Sequence, residues 1–424
     1  DLMKKLLTNK LFMAIFASDM LSSFGDVMYY LALMAYVLQL PDAKLGISIV
    51  GLSEALPYLT GFIMGYWADK TVHKVKTIIQ TLLFRVGLYV IVGIIIGFQP
   101  SLWVVVVVAF INVLSDLAGQ YEDGLYTPLS LRIVSNEDRA DSFAFRQTAR
   151  SLFSVGFQTL GAVLVTVFSF RSLAFVNAAT FGICACFMVF LAPSLDALVK
   201  ERPILVDQKK ETHVIKDLWR NMVIAAKECI KYPDISKCLV VAPFLNALFT
   251  VISLLVAALI SQDKSMLVIN PVTTLALLST FNIAGTILGG FLAMTVFRET
   301  RLLFLVKLIT LMTPFIFISL LLHFIYGLYC SLVLTTIISG MINPKLNAVI
   351  MNTLPEERLA MIGSGIGTYV QFGAVLSRLL VSGLVVLVPL DWISMLFMGL
   401  SVLLIAYVYK NRQLAPISSP QDVV

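Results

Sequence analysis

The first long apolar stretch of this chain reads LFMAIFASDMLSSFGDVMYYLALMAYVL, from Leu11 to Leu38. A membrane-spanning helix needs about 20 mostly apolar residues, so this stretch is long enough to cross a bilayer. Asp26 nevertheless lies near its middle, where a charged side chain costs roughly 2.5 to 3.5 kcal/mol on insertion scales. Asp19 precedes it by nearly two helical turns, so both carboxylates share one helix face with Tyr30. This pattern predicts a transmembrane helix with a polar side that handles an ion or a substrate.

The composition indicates that the whole chain is built for a bilayer. Its 424 residues are 59% hydrophobic and only 13% charged, with a mean hydropathy of +0.91. That leaves too little polar surface for a soluble protein. We therefore predict an all-α membrane protein with twelve transmembrane helices, placed near residues 11–38, 45–67, 77–98, 101–128, 142–168, 171–192, 238–261, 270–297, 301–323, 325–350, 360–387 and 390–409.

The twelve predicted helices fall into two similar sets of six. The turn that begins at Asn136 resembles the turn that begins at Pro355, 219 residues later, and Gly65 corresponds to Gly290, 225 residues later. Similar spacings in separate loops predict a duplicated unit. We expect a first bundle over 1–192, a cytoplasmic linker over 193–237, a second bundle over 238–412 and a cytoplasmic tail over 413–424.

The predicted linker carries one amphipathic segment, from Val214 to Tyr232. Its apolar and basic residues alternate with a helical period, which suits a helix lying in the headgroup plane. A connector helix packed against the bundle is the alternative.

Lysine and arginine concentrate in the loops on one side of the predicted bundle. Cytoplasmic loops retain these residues, so we predict that both termini are cytoplasmic in a multi-pass protein of a bacterial plasma membrane. The net charge of +6 is spread over many loops, which argues against nucleic-acid binding. The first apolar run is too long for a cleaved signal peptide and lacks a cleavage site, so it is expected to remain in the protein.

The residues that carry enzyme chemistry do not occur in recognisable patterns. The sequence has no nucleotide-binding glycine-lysine motif and no nucleophile elbow. Its five cysteines are interpreted as packing residues, and its three histidines lack the spacing of metal ligands. We predict that the protein is not an enzyme and has neither a metal site nor a cofactor. The expected partners are the bilayer, a small substrate and a coupling ion, and the chain is expected to be a monomer.

Further charged residues lie on the fourth and fifth predicted helices. Asp116 and Asp123 follow one face of the fourth helix, with Glu122 beside them, and Arg146 and Arg150 lie one turn apart on the fifth. An ion network of Glu122 and Asp123 with the two arginines would lower the cost of burying each charge. Such a network serves either structure or a moving gate. Asp116 lies deeper and is a candidate for contact with a proton or a substrate.

The segment GYWADKTVHK, from Gly65 to Lys74, resembles the loop 2-3 signature of the major facilitator superfamily of secondary transporters. The resemblance extends over essentially the whole chain and implies that family's fold of two six-helix bundles. Ser23 to Asp26, together with the acidic turns after the fourth and tenth helices, is most similar to macrolide-efflux-type exporters. The same first-helix pattern also resembles lysophospholipid transporters.

The resemblance assigns roles to several residues. Asp69 would hold an inner gate by contacting the start of the eleventh helix, and Lys70 is a candidate gate partner. Glu54 and Arg378 would meet when the outer side closes. Residues on the cavity-lining helices, with a glutamine on the eleventh, would bind the substrate; these are Asp26, Tyr30, Asp116, Asn246, Asn343 and Gln371.

Proton-coupled export of an amphiphilic small molecule by alternating access is the function that these features favour. A low-dielectric site favours the protonated form of a carboxylate, so Asp26, Asp19 and Asp116 are the candidate proton carriers. Asp26 as a polar residue that fixes the first helix to a neighbour remains an alternative. A lipid transporter of the same fold and, less favoured, a non-transporting sensor or partner protein also remain open.

Overall fold

The structure is a computed structural model that describes residues 2–37, 39–41, 46, 49–50, 53–54, 56–206, 214–269 and 271–410. Within these ranges the chain is helical and contains no strand. The helices of the first half are Leu2–Thr8 (α1), Lys10–Val37 (α2), Gly61–Lys70 (α3), Lys74–Ile95 (α4), Leu102–Ile133 (α5), Arg139–Val167 (α6) and Phe170–Glu201 (α7). Those that follow are Val214–Ile230 (α8), Pro233–Gln262 (α9), Pro271–Met294 (α10), Leu302–Leu321 (α11), Ile325–Thr353 (α12), Leu359–Leu387 (α13) and Leu390–Tyr409 (α14).

Ten helices in the described residues are long and apolar enough to cross a membrane. The other two predicted spans correspond to α3, described from Gly61 onward, and to α6. The first turns of α6 carry Asp141, Arg146 and Arg150, which lower its hydropathy. The predicted helix at 171–192 continues to Glu201, because Pro193 is accommodated inside α7. Likewise α9 begins at Pro233, before the predicted start at 238.

The chain divides into two compact units. The first contains Asp1–Trp219 and Asn347–Phe372, and the second contains Arg220–Leu346 and Gly373–Val424. The end of α12 and the start of α13 thus belong to the first unit, which is a different division from the predicted six-plus-six arrangement. The predicted domain boundaries at 192, 237 and 412 stay predictions.

Aromatic side chains join three helices at the centre of the first unit. The Tyr89 ring of α4 lies edge-on to Tyr29 of α2 at 4.9 Å and stacks on Phe181 of α7 at 5.5 Å between centroids. All three side chains are buried. Ser169 starts α7 by accepting the backbone N–H of Ser172, which satisfies one of the free amides of its first turn. This aromatic cluster positions the charged residues described below.

The second unit has an apolar core of its own. Phe317 of α11 stacks on Phe397 of α14 at 5.6 Å, and Phe281 of α10 packs against Tyr329 of α12 at 5.0 Å. Close helix contact is reached where small residues meet, as at Gly289 of α10, which faces the backbone of Gly340 on α12. Packing of this kind replaces the hydrophobic driving force that lipid removes.

Candidate functional site

A buried arginine organises the charged residues of the first unit. Arg85 lies on α4 with only 6% of its side chain exposed, and its guanidinium approaches two carboxylates. Its Nη2 is 3.6 Å from Oδ2 of Asp26, and its Nη1 is 3.5 Å from Oε2 of Glu122. Two acids on two other helices therefore share one cation.

The remaining surface of Arg85 is also occupied. Its Nε donates a hydrogen bond to Oγ of Ser115 at 3.0 Å, and its Cζ lies 3.9 Å from the centroid of the Phe181 ring. Guanidinium groups stack well on aromatic faces, and such a contact is strongest away from water. Arg85 is thus held in one orientation by α2, α5 and α7 together.

The two acids that share Arg85 differ in their access to solvent. The Asp26 side chain is 40% exposed, whereas that of Glu122 is only 7% exposed. Glu122 is therefore the enclosed counterion of Arg85. Asp26 is the more exposed of the two carboxylates.

Arg85 was not among the residues that the sequence analysis identified. A signal was present, because Arg85 is the one charged residue between Lys76 and Asp116. An isolated arginine in the middle of a spanning helix indicates a buried functional group as clearly as Asp26 does. The periodic acids of α5 instead led to the prediction that Arg146 and Arg150, on the next helix, are the arginines that pair with them.

Those two arginines contact a different acid from the one expected. Nη2 of Arg150 lies 2.6 Å from Oδ2 of Asp19, and Nη2 of Arg146 lies 3.3 Å from the same oxygen. The predicted network with Glu122 and Asp123 is therefore divided, since Glu122 contacts Arg85. The reason is helix adjacency: α6 packs against α2, which carries Asp19. Asp123 is close enough to feel the charges of both arginines.

Glu54 accepts a hydrogen bond from an amide rather than from a described arginine. The Nδ2 of Asn112 donates to Oε1 of Glu54 at 2.8 Å, and the Tyr89 hydroxyl donates to Oδ1 of the same asparagine at 3.4 Å. Asp116 lies one turn further along α5, within range of the charges of Glu54 and Asp26. The predicted partner Arg378 has a side chain outside the described residues, so its pairing with Glu54 stays a prediction.

The loop 2-3 signature makes a tight contact at the start of α13. Asp69 accepts the backbone N–H groups of Ala360 at 3.2 Å and Met361 at 2.9 Å. The first amides of a helix have no partner within it and carry partial positive charge, so a carboxylate stabilises them. Gly65 allows this approach, because a Cβ atom there would lie 2.5 Å from the carbonyl oxygen of Ala360. The contact is the one that the resemblance implies, and the gating role of Asp69 stays a prediction.

The lysines beside Asp69 have separate contacts. Lys74 donates to the carbonyl oxygens of Ala68 and Thr71, which closes the turn between α3 and α4. The Nζ of Lys70 lies 5.6 Å from the centroid of the Tyr66 ring.

The remaining predicted binding residues are dispersed. Tyr30 is exposed on α2, and Gln371 is half-buried in the part of α13 that belongs to the first unit. In the second unit, Asn246 is half-buried on α9 and Asn343 is exposed on α12. Three of these side chains end in an amide and Tyr30 ends in a hydroxyl, so they offer hydrogen bonds rather than charge.

The second unit has its own charged group, outside the spanning segments. Nδ1 of His323 lies 2.6 Å from Oδ2 of Asp263, and its Nε2 lies 3.4 Å from Oδ1 of Asp391. Its hydrogen bond to Asp263 raises the pKa of His323 above its ordinary 6.5. The same bond lowers the pKa of Asp263 to about 2.

Comparison with known families decides what kind of protein carries this site. The model of the Major Facilitator Superfamily matches residues 11–378. The chain belongs to the major facilitator superfamily. The predicted all-α fold is thereby confirmed, and the protein is a multi-pass membrane protein of a family of secondary transporters, which are generally non-enzymatic carriers.

Solved structures of superfamily members resemble this chain over nearly its whole length. A bacterial homologue of the iron transporter ferroportin, in an outward-facing state with soaked iron, has a TM-score of 0.65 at 14% identity, with 94% of this chain and 99% of that chain covered. The human organic anion transporter MFSD10 (TETRAN) gives 0.62 at 13% identity, with coverages of 93% and 98%. The proton:xylose symporter XylE gives 0.59 at 10% identity, with coverages of 95% and 96%. At these identities the likeness shows the fold alone. No curated protein matches the chain.

Proposed function

We propose that this superfamily member exports an amphiphilic, cationic small molecule in exchange for protons, with Asp26 as the exchanging carboxylate. The observation that carries the proposal is the sharing of Arg85 between Asp26 and Glu122. One cation cannot neutralise both acids fully. The site therefore has room for one further positive charge, supplied either by a proton or by a substrate.

The two acids take different parts because their exposure differs. Glu122 is enclosed and keeps Arg85 in place through the cycle. Asp26 is more exposed, and its 3.6 Å distance from the guanidinium, like the 3.5 Å of Glu122, is longer than a charge-assisted hydrogen bond of about 2.7 to 2.9 Å. Protonation of Asp26 removes its attraction for a cationic substrate and favours release. Loss of the proton on the other side restores the binding site.

An excess of acid around this centre supports a cationic substrate over an anionic one. Glu54 and Asp116 are two further carboxyl groups within range of the charge of Asp26. Asp19 adds none of this excess, because Arg146 and Arg150 both contact it. The polar groups of the substrate are proposed to form hydrogen bonds with four uncharged side chains. These are Tyr30, Asn246, Asn343 and Gln371. The distribution of basic residues over the loops supports cytoplasmic termini, and a monomer in a bacterial plasma membrane is part of the proposal.

Flux in proteoliposomes tests the proposal. The purified protein is reconstituted with the pH gradient and the membrane potential set separately, and a panel of a lipophilic cation, an organic anion and a lysophospholipid is assayed. We expect uptake of the cation to follow the pH gradient. Asp26→Asn should reduce the gradient-driven flux by at least about 100-fold, since the exchanged proton has lost its carrier.

The matched control is Asp196→Asn, which neutralises an exposed acid on α7 and should leave the flux within about 2-fold. Thermal melting of both variants checks that each is folded. An unchanged pH-driven flux in Asp26→Asn would remove this residue from the mechanism. Movement of the lysophospholipid alone, with no dependence on pH, would replace the proposal with the lipid-transporter alternative.

A further inference from the structure

A cavity of about 380 Å³ lies at the inner end of the first unit, away from the transport site. It is formed where the end of α5, the start of α6 and the segment after α7 meet the end of α12. Its lining is Leu131, Arg132, Arg139, Arg202, Pro203, Met351, Leu354 and Glu356. Three arginines against one glutamate give this lining an excess of positive charge.

Arg132 is a structural part of the cavity wall. Its Nε donates to the carbonyl oxygen of Arg202 at 2.6 Å, and its Nη2 donates to that of Pro203 at 2.9 Å. Its Nη1 donates to the carbonyl of Pro128 at 2.9 Å and to Oε1 of Glu356 at 2.5 Å. All of its side-chain nitrogens donate hydrogen bonds, and Glu356 is the counterion of Arg132.

Arg139 is differently satisfied. It is the first residue of α6 and is only 8% exposed. Its two terminal nitrogens donate to neutral oxygens, namely Oδ1 of Asn352 at 2.5 Å and the carbonyl of Leu131 at 3.1 Å. Its Nε is buried and has no hydrogen-bond partner among the residues that the structure describes. A buried charged donor without an acceptor is costly, so this atom marks the place of a missing partner.

Arg202 adds a second positive group at the mouth of the cavity. It is exposed, and its Nη2 donates to the carbonyl of Arg132 at 3.2 Å. Burial, together with the charge of Arg202, lowers the pKa of Arg139 from its ordinary value. Two guanidinium groups thus approach one another across the cavity, and an anion between them would relieve the repulsion.

We propose that this cavity binds a phosphate group, which accepts from Nε of Arg139 and from the guanidinium of Arg202. Arginine suits this ligand because its planar fork matches the oxygens of phosphate. The cavity has room for the phosphate and a short ester substituent. It lies at the inner end of spanning helices, so both a phospholipid headgroup and a soluble phosphate can reach it.

Two preparations distinguish these sources. Full-length protein in detergent is melted in increasing inorganic phosphate, with chloride at matched ionic strength as the reference. The same protein is melted in nanodiscs of phosphatidylglycerol mixed with phosphatidylcholine, with uncharged digalactosyl lipid as the reference. We expect the melting temperature to rise by roughly 2 °C or more in one preparation, because a ligand that binds the folded state stabilises it.

Variants locate the effect in the cavity. Arg202 is exposed, so Arg202→Gln should fold normally. Arg139→Lys keeps the positive charge but lacks the Nε donor. In each variant, the apparent affinity for the phosphate or the phosphatidylglycerol that raises the melting temperature should fall about 10-fold or more, because hydrogen bonds to charged groups are strong. The matched control is Lys200→Gln, an exposed cation at the end of the same helix α7 that does not line the cavity. For each variant, the change in melting temperature on adding ligand is measured relative to the same variant without ligand. A variant that starts with a lower stability can therefore still be compared with the others.

Protection by inorganic phosphate, weakened in both arginine variants, identifies a soluble phosphate. Protection only in phosphatidylglycerol, weakened in the same variants, identifies a lipid headgroup. Protection that is absent in both preparations, or equal in the arginine variants and Lys200→Gln, overturns the proposal. The flux assay does not enter this test, so its outcome is independent of the transport proposal.

Discussion

The two compact units treat charge in different ways. In the first unit, Arg85 and its acids lie in the middle of spanning helices. In the second unit, the acids between residues 233 and 409 stand at or beyond helix ends, at Asp234, Asp263, Glu299 and Asp391. The packing is otherwise comparable, since both units close around aromatic and aliphatic cores. Buried pairs of opposite charge are thus described in the first unit, whereas the buried Lys345 of the second unit donates to the backbone carbonyl oxygen of Arg298.

The difference has an energetic meaning. Removing one member of a buried ion pair costs far more than removing an exposed charge, because the partner is left without compensation. A sequence retains such groups where a function depends on them. The first unit is therefore the place where we locate ion coupling. The second contributes neutral hydrogen-bonding groups, among them Asn246 and Asn343.

The largest effect is expected from Arg85→Gln. This change leaves Asp26 and Glu122 facing each other's charge, so we predict a loss of about 3 kcal/mol in the free energy of unfolding. The counterpart in the second unit is Lys307→Gln, whose ammonium lies 5.3 Å from the Tyr409 ring centroid and should contribute about 1 kcal/mol or less. Denaturation of the purified variants in one detergent measures both.

A double variant sharpens this test. Adding Glu122→Gln to Arg85→Gln removes the uncompensated acid, so part of the lost stability should return. If Arg85→Gln were no more destabilising than Lys307→Gln, the contrast in buried charge between the units would have no energetic basis.

A glycine replaced at a close helix contact should lower the free energy of unfolding by a similar amount in both units. A Cβ at Gly65 would lie 2.5 Å from the carbonyl oxygen of Ala360, and one at Gly289 would lie 2.1 Å from the carbonyl oxygen of Ile337. We expect Gly65→Ala and Gly289→Ala each to lower the free energy of unfolding by about 2 kcal/mol, since backbone must move. Gly363→Ala is the control, because no atom of the described part of the chain lies within 4 Å of the added one. It should be neutral or stabilising by roughly 0.5 kcal/mol. A large loss at one unit's glycine alone would show that the units also differ in packing.

The smallest effect concerns the exposed charges of the second unit. The raised pKa of His323 gives a contribution that is complete below pH 6.5 and is lost as the pH rises through the folded pKa. The lowered pKa of Asp263 gives a contribution that is present above pH 3.8 and is lost as the pH falls toward about 2. The melting temperature should therefore show a shallow plateau between these limits.

Asp263→Asn should flatten both edges of that plateau, measured by melting from about pH 2 to pH 9. Asp391→Asn, which changes the longer 3.4 Å contact, should have a weaker effect and serves as the control. A plateau that is unchanged by Asp263→Asn would assign the pH dependence to other groups.

The sequence by itself determined the fold class and most helix positions, and its resemblance to a known family implied the contact of the loop 2-3 signature. Hydropathy and the length of apolar runs are local properties, so they can be read without knowing which helices touch. Asp26 could be singled out for the same reason, as a charge in an apolar run.

Only the tertiary structure decided which charges meet. Arg85 was passed over, and Arg146 and Arg150 were assigned to the acids of α5 although they contact Asp19 of α2. The partner of a buried charge depends on which helices are neighbours in space, and these are set by packing between residues far apart in the chain. Spacing along one helix fixes the face on which a side chain lies, but it does not identify the helix that faces it.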